Sequence, residues 1–224
     1  MLFALATSRL KVHTFQVDNR AFCICNDLLT YDRPNLMASM SAIERFEFSG
    51  GMPNTPGWLR YTARMPIYTD ILEGASQLRS LAFDVGTYTR KEWSLLPLAP
   101  EMLLANDLAN LTSLRITAAF VDASSLVEAL RRCKTSLTHL TLDHVALSTI
   151  NEYWIPVVQT MLTMPELAYV ELFLNNARAS MPAGWFRDPL PHSYSESEVF
   201  EGRERIVEGL HRLLGNHMYL HTST

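Results

Sequence analysis

The segment Ser136-Leu137-Thr138-His139-Leu140-Thr141-Leu142-Asp143 carries apolar residues at its second, fifth and seventh positions, and that spacing recurs along the chain. Written apolar-x-x-apolar-x-apolar, it occurs at Val12/Phe15/Val17, Ile43/Phe46/Phe48, Leu78/Leu81/Phe83, Leu111/Leu114/Ile116, Leu137/Leu140/Leu142 and Leu167/Val170/Leu172. Successive copies begin 31, 35, 33, 26 and 30 residues apart, in the range where self-similarity signals stacked repeats. The last two apolar residues of each copy are two apart, so in an extended segment both project to one face. Between copies the apolar spacing turns helical, giving a strand-then-helix unit that cannot bury its own apolar face. Neighbouring units must supply the core. The expected fold is α/β, a solenoid with parallel strands on the concave face and helices on the convex face.

Working outward, residues 1–175 read as about six irregular repeats, 176–194 as a surface connection and 195–224 as a C-terminal capping helix and tail. Helical stretches are expected over Asn35–Met40, after Pro66 (Ile67, Ile71, Leu72, Ala75) and after Pro100 (Leu103, Leu104, Leu108). Another runs from an Asp122 cap through Leu126, Leu130 and Cys133, which makes that cysteine a core residue. A further one carries Pro156 in its first turn, where the missing N–H costs little, and stops at Pro165. Gly50-Gly51, Pro53, Pro56 and Gly57 mark a loop, and the segment after Phe83 is a polar run through Lys91. Ser195-x-x-Glu198 matches a capping box that would open the last helix, with Ile206, Val207, Leu210, Leu213 and Leu214 as its apolar stripe and Gly215 as its end.

The chain has 224 residues, 48% of them apolar and 19% charged, the composition of an ordinary folded protein. Its formal net charge of −4 and pI near 6.0 argue against a nucleic-acid partner, which would call for a basic surface. Three cysteines, Cys23, Cys25 and Cys133, form no disulfide framework and point to free thiols in a reducing compartment, cytoplasmic or nuclear. The apolar start Met1-Leu2-Phe3-Ala4-Leu5-Ala6 lacks a cationic leader and breaks at Ser8-Arg9 and Lys11, and no other stretch reaches membrane-spanning length, so no membrane association is expected.

With strand motifs of this form joined by helices, residues 10 to 175 resemble a leucine-rich-repeat protein of the longer, helix-containing kind. The stretch Trp154…Met164-Pro165-Glu166-Leu167 and the ending Glu201-Gly202-Arg203…Val207-x-Gly209-Leu210 look most like the repeat region of fungal F-box and leucine-rich-repeat proteins. That resemblance implies substrate recognition for a cullin-type ubiquitin ligase, with ligase subunits among the partners. The F-box itself is not visible. Leu96-Pro97-Leu98-Ala99-Pro100-Glu101 echoes an F-box opening, but only one helix fits between it and Leu111. The repeats depart from the pattern where an Asn often bonds the turn backbone, three residues after the last apolar position. Those positions hold Arg20, Gly51, Gly86, Ala119, Val145 and Asn175, of which only Asn175 matches, so the other turns are expected to be held in another way.

Chemistry-bearing residues are sparse in pattern. His139, Asp143 and His144 invite a metal, but in a regular strand His144 faces away from the other two, and surface polarity accounts for all three. Cys23-Ile24-Cys25 lacks zinc-site spacing. His211, His217 and His221 read as a solvated helix and tail. No nucleophile elbow, Walker loop or dinucleotide fingerprint occurs, and no cofactor is implied. The expectation is a non-catalytic protein-interaction module. A freestanding structural or regulatory scaffold is the alternative, and a hydrolase whose site escapes sequence inspection is a more distant one.

The residues flanking the inward apolar pairs should form three columns across the open sheet face. They are Thr14, Arg45, Ser80, Ser113, His139, Tyr169; Gln16, Glu47, Ala82, Arg115, Thr141, Glu171; and Asp18, Ser49, Asp84, Thr117, Asp143, Phe173. At about 4.8 Å per strand the face spans roughly 24 Å, enough for a peptide or protein edge. Arg45, Glu47, Arg115, His139, Tyr169, Glu171 and Phe173 are the candidate partner contacts, because aromatic and arginine side chains supply most interface energy. Leu2, Phe3, Leu5 and Ala6 enter the first strand with no shield before them. Self-association through that N-terminal edge, cover by a partner, a chain shortened from a longer protein, or residues 1–11 folding back as a small cap would each account for it.

Overall fold

Each motif copy becomes one strand of a single sheet, and each intervening helical stretch packs behind it. The computed structural model describes residues 11–18, 32–49, 65–89, 92–94, 96–148, 154–174 and 198–221. In chain order its elements are β1 (Thr14–Asp18), α1 (Arg33–Met40), β2 (Arg45–Ser49), α2 (Met65–Gly74), β3 (Ser80–Asp84), β4 (Thr87–Thr89), β5 (Glu92–Ser94), β6 (Leu96–Pro97), α3 (Pro100–Leu104), β7 (Ser113–Thr117), β8 (Ala119–Val121), α4 (Ala123–Arg132), β9 (His139–Leu147), α5 (Ile155–Leu162), β10 (Tyr169–Leu174), β11 (Glu198–Glu201) and α6 (Arg203–His221). Among the described residues the sheet runs β1-β2-β3-β7-β9-β10-β11 and is open, with β1 and β11 at the ends of that order. Its first six strands are parallel and β11 pairs antiparallel with β10.

The register aligns equivalent motif positions. Phe15, Phe46, Leu81, Leu114, Leu140 and Val170 form one buried row across the strands, and Phe48, Phe83, Ile116, Leu142 and Leu172 a second. The first motif position, Ile43, Leu78, Leu111, Leu137 or Leu167, is buried just before each strand. The rows change character along the sheet. Phe15 stacks on Phe46 at 5.7 Å and Phe46 meets Phe83 at 6.2 Å, whereas β9 and β10 contribute leucine and valine. At every strand entrance one carbonyl accepts two N–H groups from the next unit: His13 from Glu44 and Arg45, Glu44 from Arg79 and Ser80, Arg79 from Thr112 and Ser113, Thr112 from Thr138 and His139, Thr138 from Ala168 and Tyr169.

The helices contact one another in chain order, α1 to α6, and share one apolar core with the inward rows. Their starts follow local chemistry. Asp32 accepts from the Asn35 N–H at 3.2 Å, Asp122 from the Ser125 N–H at 2.7 Å, and Pro100 and Pro156 sit in first turns. Gly74 lets α2 approach α1, since a Cβ there would sit 2.7 Å from the Met37 carbonyl oxygen. Cys133 is fully buried, its thiol donating to the Ala129 carbonyl at 3.2 Å. Among the described residues no helix is long and apolar enough to cross a membrane.

Two expectations need correction, and two further pairings were not foreseen. The capping box at Ser195-x-x-Glu198 does not open the last helix, because Glu198–Glu201 is strand β11 and α6 begins at Arg203. Val199 and Phe200 alternate in burial as an edge strand requires, and Gly202 at φ +82 makes the turn. Gly215 does not end α6, which continues to His221, since an isolated glycine weakens a helix by only about 1 kcal/mol. The strand β4, inside the polar run that ends at Lys91, pairs antiparallel with β5 just beyond it. Finally, β9 extends past Leu142 to Leu147, and its far half pairs with β8, which pairs with β6. Residues 1–10, Cys23, Cys25, the Gly50–Gly57 loop and the 176–194 connection lie outside the described residues.

Candidate functional site

The face of the sheet opposite the helices carries the residues between the buried rows, and the parallel register sets them in columns. Thr14, Arg45, Ser80, Ser113, His139 and Tyr169 are successive partners in one; Gln16, Glu47, Ala82, Arg115, Thr141 and Glu171 in the next; Asp18, Ser49, Asp84, Thr117, Asp143 and Phe173 in the third. In the first two columns these side chains are exposed or half-buried, as the alternation of a one-sided sheet requires. Thr117 departs from this, being 4% exposed with its hydroxyl buried and unbonded among the described residues.

All seven sequence-derived contact residues lie on this face, but in separate groups. On β2, Arg45 donates through Nε to the Glu47 carboxylate at 2.7 Å and again through Nη2, so that charge pair closes on itself. Arg115, on β7, is exposed, and its side chain makes no hydrogen bond or ion pair among the described residues. On β9 and β10 four residues meet. The His139 ring stacks on Tyr169 at 5.9 Å, and the Tyr169 hydroxyl and Thr141 hydroxyl each donate to Glu171 Oε2 at 3.3 Å. Loss of solvent, then the Glu171 and Glu201 carboxylates, raise the Tyr169 hydroxyl above the ordinary phenol range, so it stays a donor.

His144 overturns the expectation that it faces away from Asp143. It adopts φ +53, and the register steps from Phe173↔Asp143 to Leu174↔Val145, leaving His144 as one extra residue relative to β10. The bulge turns its ring to the open face, where it stacks on Phe173 at 4.0 Å and its Nδ1 lies 2.7 Å from Asp143 Oδ1. Ala118 follows Thr117 with the same φ of +53 and donates its N–H to the Asp143 carbonyl at 2.8 Å, so β7 and β9 turn a corner at one level. Beyond the corner Ala118, Ala146 and Phe120 form a small second apolar cluster.

The face also extends one strand further than the sequence motif indicates. The antiparallel register sets Glu201 beside Tyr169 and Val199 beside Glu171, and Val199 is 49% exposed. The available signal was the alternation Glu198-Val199-Phe200-Glu201, with one apolar residue inward. The surface offers rings, carboxylates and neutral donors for recognition. Among the described residues, no group of three or more His, Cys, Asp or Glu side chains is placed to hold a metal ion. Compared with family models, with curated proteins and with solved structures, the chain matches none.

Proposed function

We propose that the chain is a non-catalytic protein-interaction module, a leucine-rich-repeat-like solenoid whose open, concave sheet face receives a protein or peptide and whose last helix caps the stack. The observation that carries this reading is the register: in-line columns of polar and aromatic side chains, exposed or half-buried in the first two columns, on the sheet face opposite the helices. A ready-ordered surface loses little side-chain entropy on binding, which favours recognition. The specific version, implied by resemblance to F-box and leucine-rich-repeat proteins, is substrate recruitment to a cullin-type ubiquitin ligase in the cytoplasm or nucleus.

Affinity capture with the parent chain and with an Arg115→Glu/Phe173→Ala variant, read by mass spectrometry, tests it. Partners recovered by the parent and lost by the variant support the open face, and ligase adaptor subunits among them support recruitment. Stable partners without adaptor subunits overturn the ligase version in favour of a freestanding scaffold. An unchanged partner set in the variant overturns the open-face assignment.

A further inference from the structure

Two glutamates occupy the same column of the open face with different neighbours. Glu47 has Arg45 two residues before it on the same strand and is neutralised by it. Glu171 has Tyr169 at that position and, among the described residues, accepts only two long bonds from neutral hydroxyls. Next to Tyr169 across the sheet stands Glu201, exposed and without a hydrogen bond or ion pair among the described residues. No lysine or arginine occupies β9, β10 or β11. Among the described residues the nearest open-face arginine, Arg115, is separated from Glu171 by all of β9 and makes no ion pair with it.

We infer that the β9–β10–β11 end of the open face binds an extended segment of a partner protein through its arginine or lysine side chains, a specificity that rests on the interaction-module reading above. A partner cation takes the place beside Glu171 that Arg45 holds beside Glu47, with Glu201 on its other flank. The half-exposed Tyr169 and Phe173 rings offer π-faces to the same charge, attractive when its head approaches within about 6 Å of a ring centre. Their stacking on His139 and His144 orders these rings before any partner arrives. Val199, apolar and exposed on the outermost strand, contacts the aliphatic stem of a long cationic side chain. The two hydroxyl bonds that Glu171 accepts are long, at 3.3 Å, and bring no positive charge, so a partner cation at normal hydrogen-bond distance supplies the ionic pairing that neither hydroxyl provides.

The test is an array of short randomised peptides probed with the full chain, followed by titration of fluorescein-labelled versions of the retained sequences. Retained peptides enriched in arginine and lysine, with affinity that falls as salt rises and drops at least about tenfold in Glu171→Gln, support the inference. Glu204→Gln, a carboxylate change in the helix layer, leaves the titration unchanged. Circular dichroism of each variant guards against misfolding. Retained peptides without basic enrichment, whose binding is nevertheless lost in Tyr169→Ala, overturn the cationic specificity while the open-face reading stands. Basic peptides that bind Glu171→Gln and Tyr169→Ala as tightly as the parent overturn the placement. An array that retains nothing overturns recognition of an extended segment, and the capture experiment then decides the broader reading separately.

Discussion

The two faces of this sheet are built from alternate residues of the same strands, yet they answer to different constraints. On β9, Leu140 and Leu142 are fully buried against the helix layer, while His139 and Thr141, one residue away, stand on the open face. The covered face tolerates little, because its apolar rows are shared by neighbouring units. The open face has no described neighbour to satisfy, so its residues are free to differ from unit to unit, and they do. Tyr169 and Arg45 hold equivalent positions with opposite consequences for the glutamate beside them.

The largest break in this contrast is Leu140→Asp. It places an unpaired carboxylate in the middle of the shared core and should cost more than about 4 kcal/mol, enough to unfold a marginally stable chain. Loss of the cooperative thermal transition is the expected result, and a parent-like melt would mean the register is wrong.

Gly209→Val comes next, since a Cβ there would sit 2.1 Å from the Phe200 ring that seals α6 to β11. Overpacking at such a contact costs about 1–3 kcal/mol, measurable as a lowered denaturant midpoint. An unchanged midpoint would show that β11 and α6 are not packed as described.

A third test uses pH. Burial pushes the Cys133 thiol from 9.0 to about 12, so the folded state holds its proton where the unfolded state releases it. The resulting stability is fully present below pH 9 and is lost as pH rises toward 12, at about 1.4 kcal/mol per pH unit. Cys133→Ala should flatten the alkaline slope relative to the parent by that amount. Equal slopes would place the thiol in contact with water.

The smallest expected effect sharpens the comparison from the other side. Tyr169→Ala and Thr141→Val, on the open face of the same strands, should each shift stability by no more than about 0.5–1 kcal/mol in chemical denaturation. A shift as large as that of Gly209→Val would mean the open face is structural and not held in reserve for a partner.

The sheet was legible from the sequence because its period-two burial is strict: the apolar pairs from Phe15/Val17 to Val170/Leu172 give strand positions, and parallel stacking of like units then gives the columns without further information. What escaped were features where one residue changes the rule. His144 in the left-handed region resets the alternation of β9, and nothing in its neighbours announces this, since histidine is not a residue that demands φ > 0. Ser195-x-x-Glu198 mimics a helix start, but pairing to the exposed edge of β10 wins over local propensity. The antiparallel pair β4/β5 lies in a segment with no motif copy to index it. Spacing places the candidate contacts on the sheet face opposite the helices, but that Glu47 is paired with an arginine and Glu171 is not depends on side-chain geometry that spacing alone does not convey.

The paired N–H bonds at each strand entrance have a consequence for how the chain tolerates change in length. At each strand entrance one carbonyl two residues before the buried strand position receives the next unit, and neither that contact nor the strand ladder that follows measures the path taken since the previous one. Intervals from 26 to 35 residues therefore end in the same alignment. The molecule keeps a constant pitch with a variable stride, so segments between an anchor and the next can lengthen, shorten or acquire a hairpin without disturbing the order of the columns.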